Sequence, residues 1–406
     1  MDVSEIERAR RRLTGIIKPT PLLRSDTVDR IVGAQVFLKP ENRQKTGSFK
    51  IRGAYNRLAT LSPQEARRGV IAASAGNHGQ ALSYAATCTG IHATIVMPRT
   101  AAIAKVDATR NYGQSVVLEG SDYQEARAAA LELQQQSGAV FVDAYDDPFV
   151  IAGQGTIGLE IADEFAPDAV LVPVGGGGLI AGIAVALTVR SPKTTIIAVE
   201  AAGSAQLSAS LSAGAPVSIG RPIDTIADGL ATGRIGRLPF ELLRPRVQRV
   251  VAVDDGEIGE AVLLMLERMK LLAEGAGAAA LAGALKVAPE LAGKRVVIIV
   301  SGGNIDINLL DRIIGHGLAK AGRLLRFSIN LHDRPGELQK LLALVGAAGA
   351  NVRTIEHHRT RLNIPIGSAC VMLELETRNR EHIGEIRERL TQCGYAIAIE
   401  AGMRDK

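Results

Sequence analysis

Between about residue 35 and residue 304, short β-branched apolar runs alternate with alanine-rich stretches of helical period. The apolar runs predict strands at 69–74, 93–97, 115–118, 140–142, 169–174, 195–199, 250–253 and 295–300, and the patterns at 80–89, 123–136, 178–189 and 258–272 predict helices. Strands that are apolar on both faces and separated by helices argue for parallel sheet covered on both sides. There are too many strands for one comfortable sheet, so two stacked α/β lobes are expected, with ligands beyond the carboxyl ends of the strands. The polar, glycine-rich segments 74–80, 175–178 and 301–304 fall at those ends. After residue 320 the pattern becomes strand 325–331, helix 336–347, strands 352–357 and 369–375, helix 381–393 and strand 396–399. That order is a ferredoxin-like βαββαβ unit, joined by a short hinge at 317–323.

Composition narrows this picture. Of 406 residues, 47% are apolar but only 3% aromatic, with no tryptophan. The core must therefore be built from Ala, Val, Ile and Leu, as in a soluble α/β protein. The net charge of +5 is dispersed rather than gathered into a basic block or aromatic-interleaved stripe, so no nucleic-acid partner is expected. Cys88, Cys370 and Cys393 form no CxxC pair and read as free thiols in a reducing compartment. The charged start, Met1-Asp-Val-Ser-Glu-Ile-Glu-Arg, lacks a signal core, and the apolar stretches stop short of a membrane span. A cytoplasmic location without membrane attachment is expected.

Three strand-end segments and one lysine carry the candidate chemistry. Lys50 follows a short strand pattern (35–39), a stop at Pro40 and a polar turn, and it sits where a helical pattern begins. Ser48 reads as the N-cap of that helix, which places Lys50 in the first turn, where the helix dipole disfavours the ammonium. A lysine held that way suits attack on carbonyls or Schiff-base formation. Ser74-Ala75-Gly76-Asn77-His78 lies between a strand and a helix, so its amides are placed to bind an anion such as a carboxylate. Gly175, Gly176, Gly177 and Gly178 let backbone amides close around a phosphate at a helix N-terminus. Gly176, Gly178 and Ala181 with Glu200 also satisfy a dinucleotide fingerprint, but loosely, since any glycine tetrad followed by Ala matches. Ser301 leaves the last α/β strand either as a cap or facing a ligand ring, and Glu274 follows an apolar helix as a helix cap or a buried functional acid.

Together, Ser48-Phe-Lys50, the asparagine loop, the glycine tetrad and Ser301-Gly-Gly-Asn304 resemble, in order and spacing, the fold-type II pyridoxal-phosphate enzymes. The resemblance covers roughly residues 5–320 and is closest to the threonine/serine dehydratases and serine racemases. The tail resembles an ACT domain, with His332-Asp-Arg-Pro-Gly-Glu-Leu338 as its strand-to-helix loop and Gly349-Ala-Asn351-Val after the helix. One ACT domain behind a catalytic unit looks like the medium-length threonine dehydratases. The resemblance implies a catalytic region 1–322, with a large lobe of about 1–44 and 151–322 and a small lobe of about 45–150, and a regulatory domain 323–406.

The same resemblance implies roles. Lys50 holds pyridoxal 5′-phosphate and then serves as the base that removes the Cα proton. Gly175 to Gly178 cradle the phosphate, Asn77 hydrogen-bonds the 3′ oxygen, and Ser74 with the amides of Ala75, Gly76, Asn77 and His78 takes the substrate carboxylate. Ser301 faces the pyridine nitrogen, where a neutral hydroxyl weakens the electron sink and favours β-elimination. Serine racemases carry a serine hydroxyl where this chain has Ala75, and alanine can neither donate nor accept a proton. Racemase-like members bind a divalent ion after the residue matching Glu200, but 201–206 offers no second carboxylate, so metal dependence is left open. The expected activity is L-threonine ammonia-lyase, less active on L-serine. The alternative is a serine or hydroxyaspartate dehydratase or racemase. A homo-oligomer, dimer or tetramer, is expected, with an amino-acid effector, isoleucine or valine, near Asp333, Gly336, Leu338 and Asn351 between paired ACT domains.

Overall fold

The computed structural model describes residues 1–220, 223–359 and 364–399. It divides into two compact units, Met1–Asp306 and Ile307–Lys406.

The larger unit contains the two expected lobes. A six-stranded sheet takes the order Leu23–Arg24, Gln35–Pro40, Arg295–Val300, Ala169–Pro173, Thr195–Ala201, Arg249–Val253, and every neighbouring pair is parallel except the first. A four-stranded parallel sheet orders Ser115–Leu118, Ala93–Met97, Val70–Ala73 and Val140–Phe141. The two central strands Ala169–Pro173 and Arg295–Val300 are buried almost end to end, which is why they read as unbroken apolar runs. Helices Pro148–Glu164 and Gly178–Arg190 are buried on nearly all sides and supply much of the large lobe's core with Ala, Ile, Leu and Val. Among the described residues, no helix is long and apolar enough to cross a membrane.

Topology explains how remote segments meet. Gln35–Pro40 and Arg295–Val300 are parallel neighbours in register, so their carboxyl ends lie side by side. The chain after each is then laced together: Ser48 bridges Gly302, the Phe49 amide donates to the Ser301 carbonyl (3.1 Å), and the Gly303 amide to the Gly47 carbonyl (2.9 Å). This pairing overturns Ser48 as a helix cap. Its backbone is extended (φ −160°), helix Lys50–Leu58 starts two residues later with no side-chain cap, and the Ser48 hydroxyl is buried without a partner among the described residues.

The smaller unit is the expected βαββαβ. Its antiparallel sheet orders Asn351–His358, Ser368–Glu376, Leu324–His332 and Ile397–Ile399, and helices Glu337–Ala347 and Arg380–Gln392 contribute to one core with it. Helix Ile307–Lys320, which the sequence reading grouped with the catalytic region, packs on strand Leu324–His332 and falls within this unit.

Candidate functional site

One cavity of about 280 Å³ in the larger unit gathers every candidate from the three strand-end segments, together with Lys50. Its walls come from both lobes: Ser74, Ala75, Gly76, Asn77 and His78 from the small one, Gly175, Gly176, Gly177, Gly178 and Ser301 from the large one.

Lys50 is the first residue of its helix and donates from Nζ to the Ala144 carbonyl at 2.8 Å. Removal from bulk water lowers its pKa to about 8, with Asp143 and Glu274 pulling it back upward. Burial therefore accounts for the shift that the sequence reading had laid on the helix dipole.

The glycine tetrad ends strand Ala169–Pro173 and opens helix Gly178–Arg190, whose first amides have no partner inside the helix. Gly177 caps that helix at φ +92°, and a Cβ on Gly176 would lie 2.2 Å from the Tyr145 ring. Side chains are thus excluded from a cradle of amides, which suits a phosphate. Gln206 steadies the loop by donating from Nε2 to the Gly175 carbonyl (2.9 Å). Glu200 is not free to serve a ribose: it is fully buried, and its carboxylate accepts from the Leu207 amide (3.0 Å) and from Ser208 at the start of helix Gln206–Ala213. Among the described residues no cluster of three His, Cys, Asp or Glu could hold a metal ion.

In the asparagine loop, the Ser74 hydroxyl accepts from the amides of Gly76 (3.2 Å) and Gly79 (3.0 Å), which folds the loop over the strand end. Asn77 is clamped on both sides. Its Oδ1 accepts from Asn304 Nδ2 (2.7 Å), and its Nδ2 donates to Glu274 Oε1 (2.6 Å). His78 bonds the Val142 carbonyl through Nε2 (3.0 Å), and burial, with Lys50 nearby, lowers its pKa to about 4, so it stays neutral at physiological pH. The Ser301 hydroxyl donates to the Ala276 carbonyl (3.1 Å).

The sequence gives no role to Tyr145, Lys105 or Asp228 and presents Asn304 only as the end of the Ser301-Gly-Gly-Asn304 motif, yet all four line the cavity. Lys105 and Asp228 pair in its wall, one from the small lobe and one from the large. Neither carries a local sequence signal, since Lys105 lies within helix Ile103–Arg110 and Asp228 in a short turn far from any strand end.

The four regulatory candidates do not converge within one chain. Asp333, Gly336 and Leu338 follow strand Leu324–His332, while Asn351 opens strand Asn351–His358 at the opposite end of the sheet. A nine-residue strand puts them roughly 27 Å apart. Asn351 bonds Glu376, and Asp333 pairs with Arg359 (3.0 Å).

Comparison with known proteins gives a consistent result. A family model described as pyridoxal-phosphate dependent enzyme matches residues 13–302. The chain is 47% identical over 400 residues to an L-threonine ammonia-lyase of Thermotoga maritima, covering 98% of this chain and 99% of that one. Among solved structures it resembles the processed form of a threonine deaminase from Solanum lycopersicum (TM-score 0.73, 36% identity, 78% of this chain and 94% of that one). It also resembles a maize serine racemase (TM-score 0.73, 34% identity, 79% and 98%).

Proposed function

Because the chain belongs to the family of pyridoxal-phosphate-dependent enzymes, we propose that its cavity converts L-threonine to 2-oxobutanoate and ammonia, with L-serine a poorer substrate. Water leaves in the elimination and returns in the hydrolysis, so the atoms balance. The observation that carries this reading is the convergence in one cavity of a lysine of lowered pKa, a side-chain-free amide cradle and a clamped asparagine.

The residues present fit the cofactor. The tetrad amides would hold the phosphate, Nζ of Lys50 would hold the carbonyl carbon, Asn77 has one N–H left for the 3′ oxygen, and the Ser301 hydroxyl would serve the ring nitrogen. When bound, pyridoxal phosphate supplies the electron sink that allows an amino acid's Cα–H bond to break. Ser74 and the neighbouring amides orient the substrate carboxylate. Lys50, as a free amine, would remove the Cα proton, and burial that lowers its pKa to about 8 brings the unprotonated form closer to neutral pH than in an ordinary lysine. Ala75 offers no proton on the opposite side, which favours elimination over stereoinversion. Purified protein supplied with pyridoxal phosphate should absorb near ~410 nm and release keto acid faster from L-threonine than from L-serine or 3-hydroxyaspartate. Faster turnover of either alternative, or racemisation exceeding elimination, sinks this assignment.

The smaller unit reads as an ACT-type effector domain, and its βαββαβ order supports that. Isoleucine or valine would bind by the loop of Asp333, Gly336 and Leu338, and contact with Asn351 requires a second copy of the chain. Turnover should respond to micromolar-to-millimolar isoleucine or valine, and Asp333→Ala should weaken the response while leaving basal turnover intact. Identical titration curves for the two proteins would remove this role.

A further inference from the structure

Glu274 occupies the N-cap position of helix Gly275–Lys286, yet its side chain makes no capping bond. The carboxylate turns instead into the cavity, only 5% exposed, and accepts from Asn77 Nδ2. It is tightly seated: a Cβ on Gly302 would lie 2.2 Å from Oε1. A buried carboxylate held by one neutral carboxamide is costly, because burial disfavours the charged form. Such an arrangement, in a cleft, marks a functional position more often than a structural one.

We propose that Glu274 is a positioning residue of this site. Its carboxylate orients the Asn77 carboxamide and supplies the negative charge that keeps a proton on the nitrogen contributed by Lys50. This rests on the cofactor reading above. A carboxylate can only accept, so it must face Nδ2 of Asn77, while Asn304 takes Oδ1. The carboxamide cannot flip, and one N–H is left to point at a ligand. Asn304 is itself tied to the Thr46 carbonyl (2.8 Å), so the chain of bonds runs from the lysine loop through Asn304 and Asn77 to Glu274.

The charges facing Glu274 come from three further elements: Asp228 in the turn Asp228–Leu230, Lys105 on helix Ile103–Arg110, and Lys50. Burial and Asp228 raise its pKa to about 7, while Asn77, Lys105 and Lys50 oppose the rise. Glu274 and Lys50 therefore titrate against each other. Protonating Glu274 removes both the charge and the charge-assisted bond to Asn77.

Glu274→Gln tests this, because a glutamine oxygen can still accept from Asn77 but cannot titrate. Wild-type kcat/KM should fall on acidification through about pH 7. In E274Q the part of this acid limb that belongs to Glu274 should disappear, leaving only the titration of Lys50, with kcat at pH 8 lowered ~10-fold, the equivalent of one pKa unit of lost interaction. The alkaline pH at which the ~410 nm band is lost should also drop. If E274Q does not fold, Glu274→Asp keeps the charge but withdraws it, and should retain an acid limb at a shifted pH. A cofactor-loaded E274Q with the wild-type pH profile and spectral titration, or an E274D limb that has not moved, overturns the proposal. Wild-type protein that never develops the band refutes instead the cofactor reading beneath it.

Discussion

Lys50→Ala should lower threonine turnover by roughly 10⁴-fold or more, since it removes the covalent anchor and the base together. Borohydride reduction should label wild-type protein at Lys50 and leave the variant unlabelled, as peptide mapping would show. The loss should not reflect misfolding. Nζ is held away from bulk water by the fold, and its pKa of about 8 records the cost of keeping an ammonium there. Lys50→Met removes that charge, so the cofactor-free variant should melt at or above the wild-type temperature. Retention of more than about a hundredth of wild-type turnover by K50A would exclude Lys50 as the principal base.

Arg52→Ala should be the most destabilising single substitution outside the hydrophobic core. Arg52 lies two residues past Lys50 on the same helix and is completely buried. Its guanidinium forks onto Glu41 through Nε and Nη2 (both 2.8 Å), reaches Glu160, and bonds Thr156 (3.0 Å) and Thr20 (3.3 Å). Lys39, also buried, pairs with Glu160 (2.6 Å) and donates to the Thr20 carbonyl (2.8 Å). Removing Arg52 leaves the fully buried Glu41 without its cation, which costs about 3–5 kcal/mol. For a unit of this size that corresponds to a melting temperature lower by roughly 5–8 °C. Arg52→Lys should recover only part of this, because an ammonium cannot form the two-pronged bond to Glu41. A fall under about 2 °C for R52A would mean that the network contributes little to the fold.

Much of the site is legible in the sequence. Lys50, Asn77, the tetrad from Gly175 to Gly178 and Ser301 each announce themselves by local pattern: a strand ends, a polar or glycine-rich turn follows, and in most cases a helix starts. The βαββαβ tail was legible for the same reason, since alternation and helical periodicity are properties of neighbouring residues. Features that depend on remote partners were not. Ser48 has the composition of an N-cap, but pairing with Gly302, 254 residues onward, pulls its backbone into an extended bridge. Tyr145 gave no local sign that its ring would lie against the tetrad. Lys39, Glu41, Arg52 and Glu160 look like ordinary charged residues, and only their convergence makes them a buried network. Asn351 and the Asp333 loop are placed together by resemblance to paired ACT domains, and only strand direction shows that within one chain the two lie at opposite ends of one sheet.

By itself, then, the sequence determined the α/β class, the terminal ferredoxin-like unit and the residue types available for chemistry, because period, turn composition and capping act over a few residues. Tertiary structure decided which strand ends face one another and what each side chain meets there. It made burial the dominant cause of the Lys50 shift, committed Glu200 to a helix start and turned Glu274 from a cap position toward Asn77. Those outcomes depend on desolvation and on contacts between residues up to about 250 positions apart, and a local pattern carries no record of either.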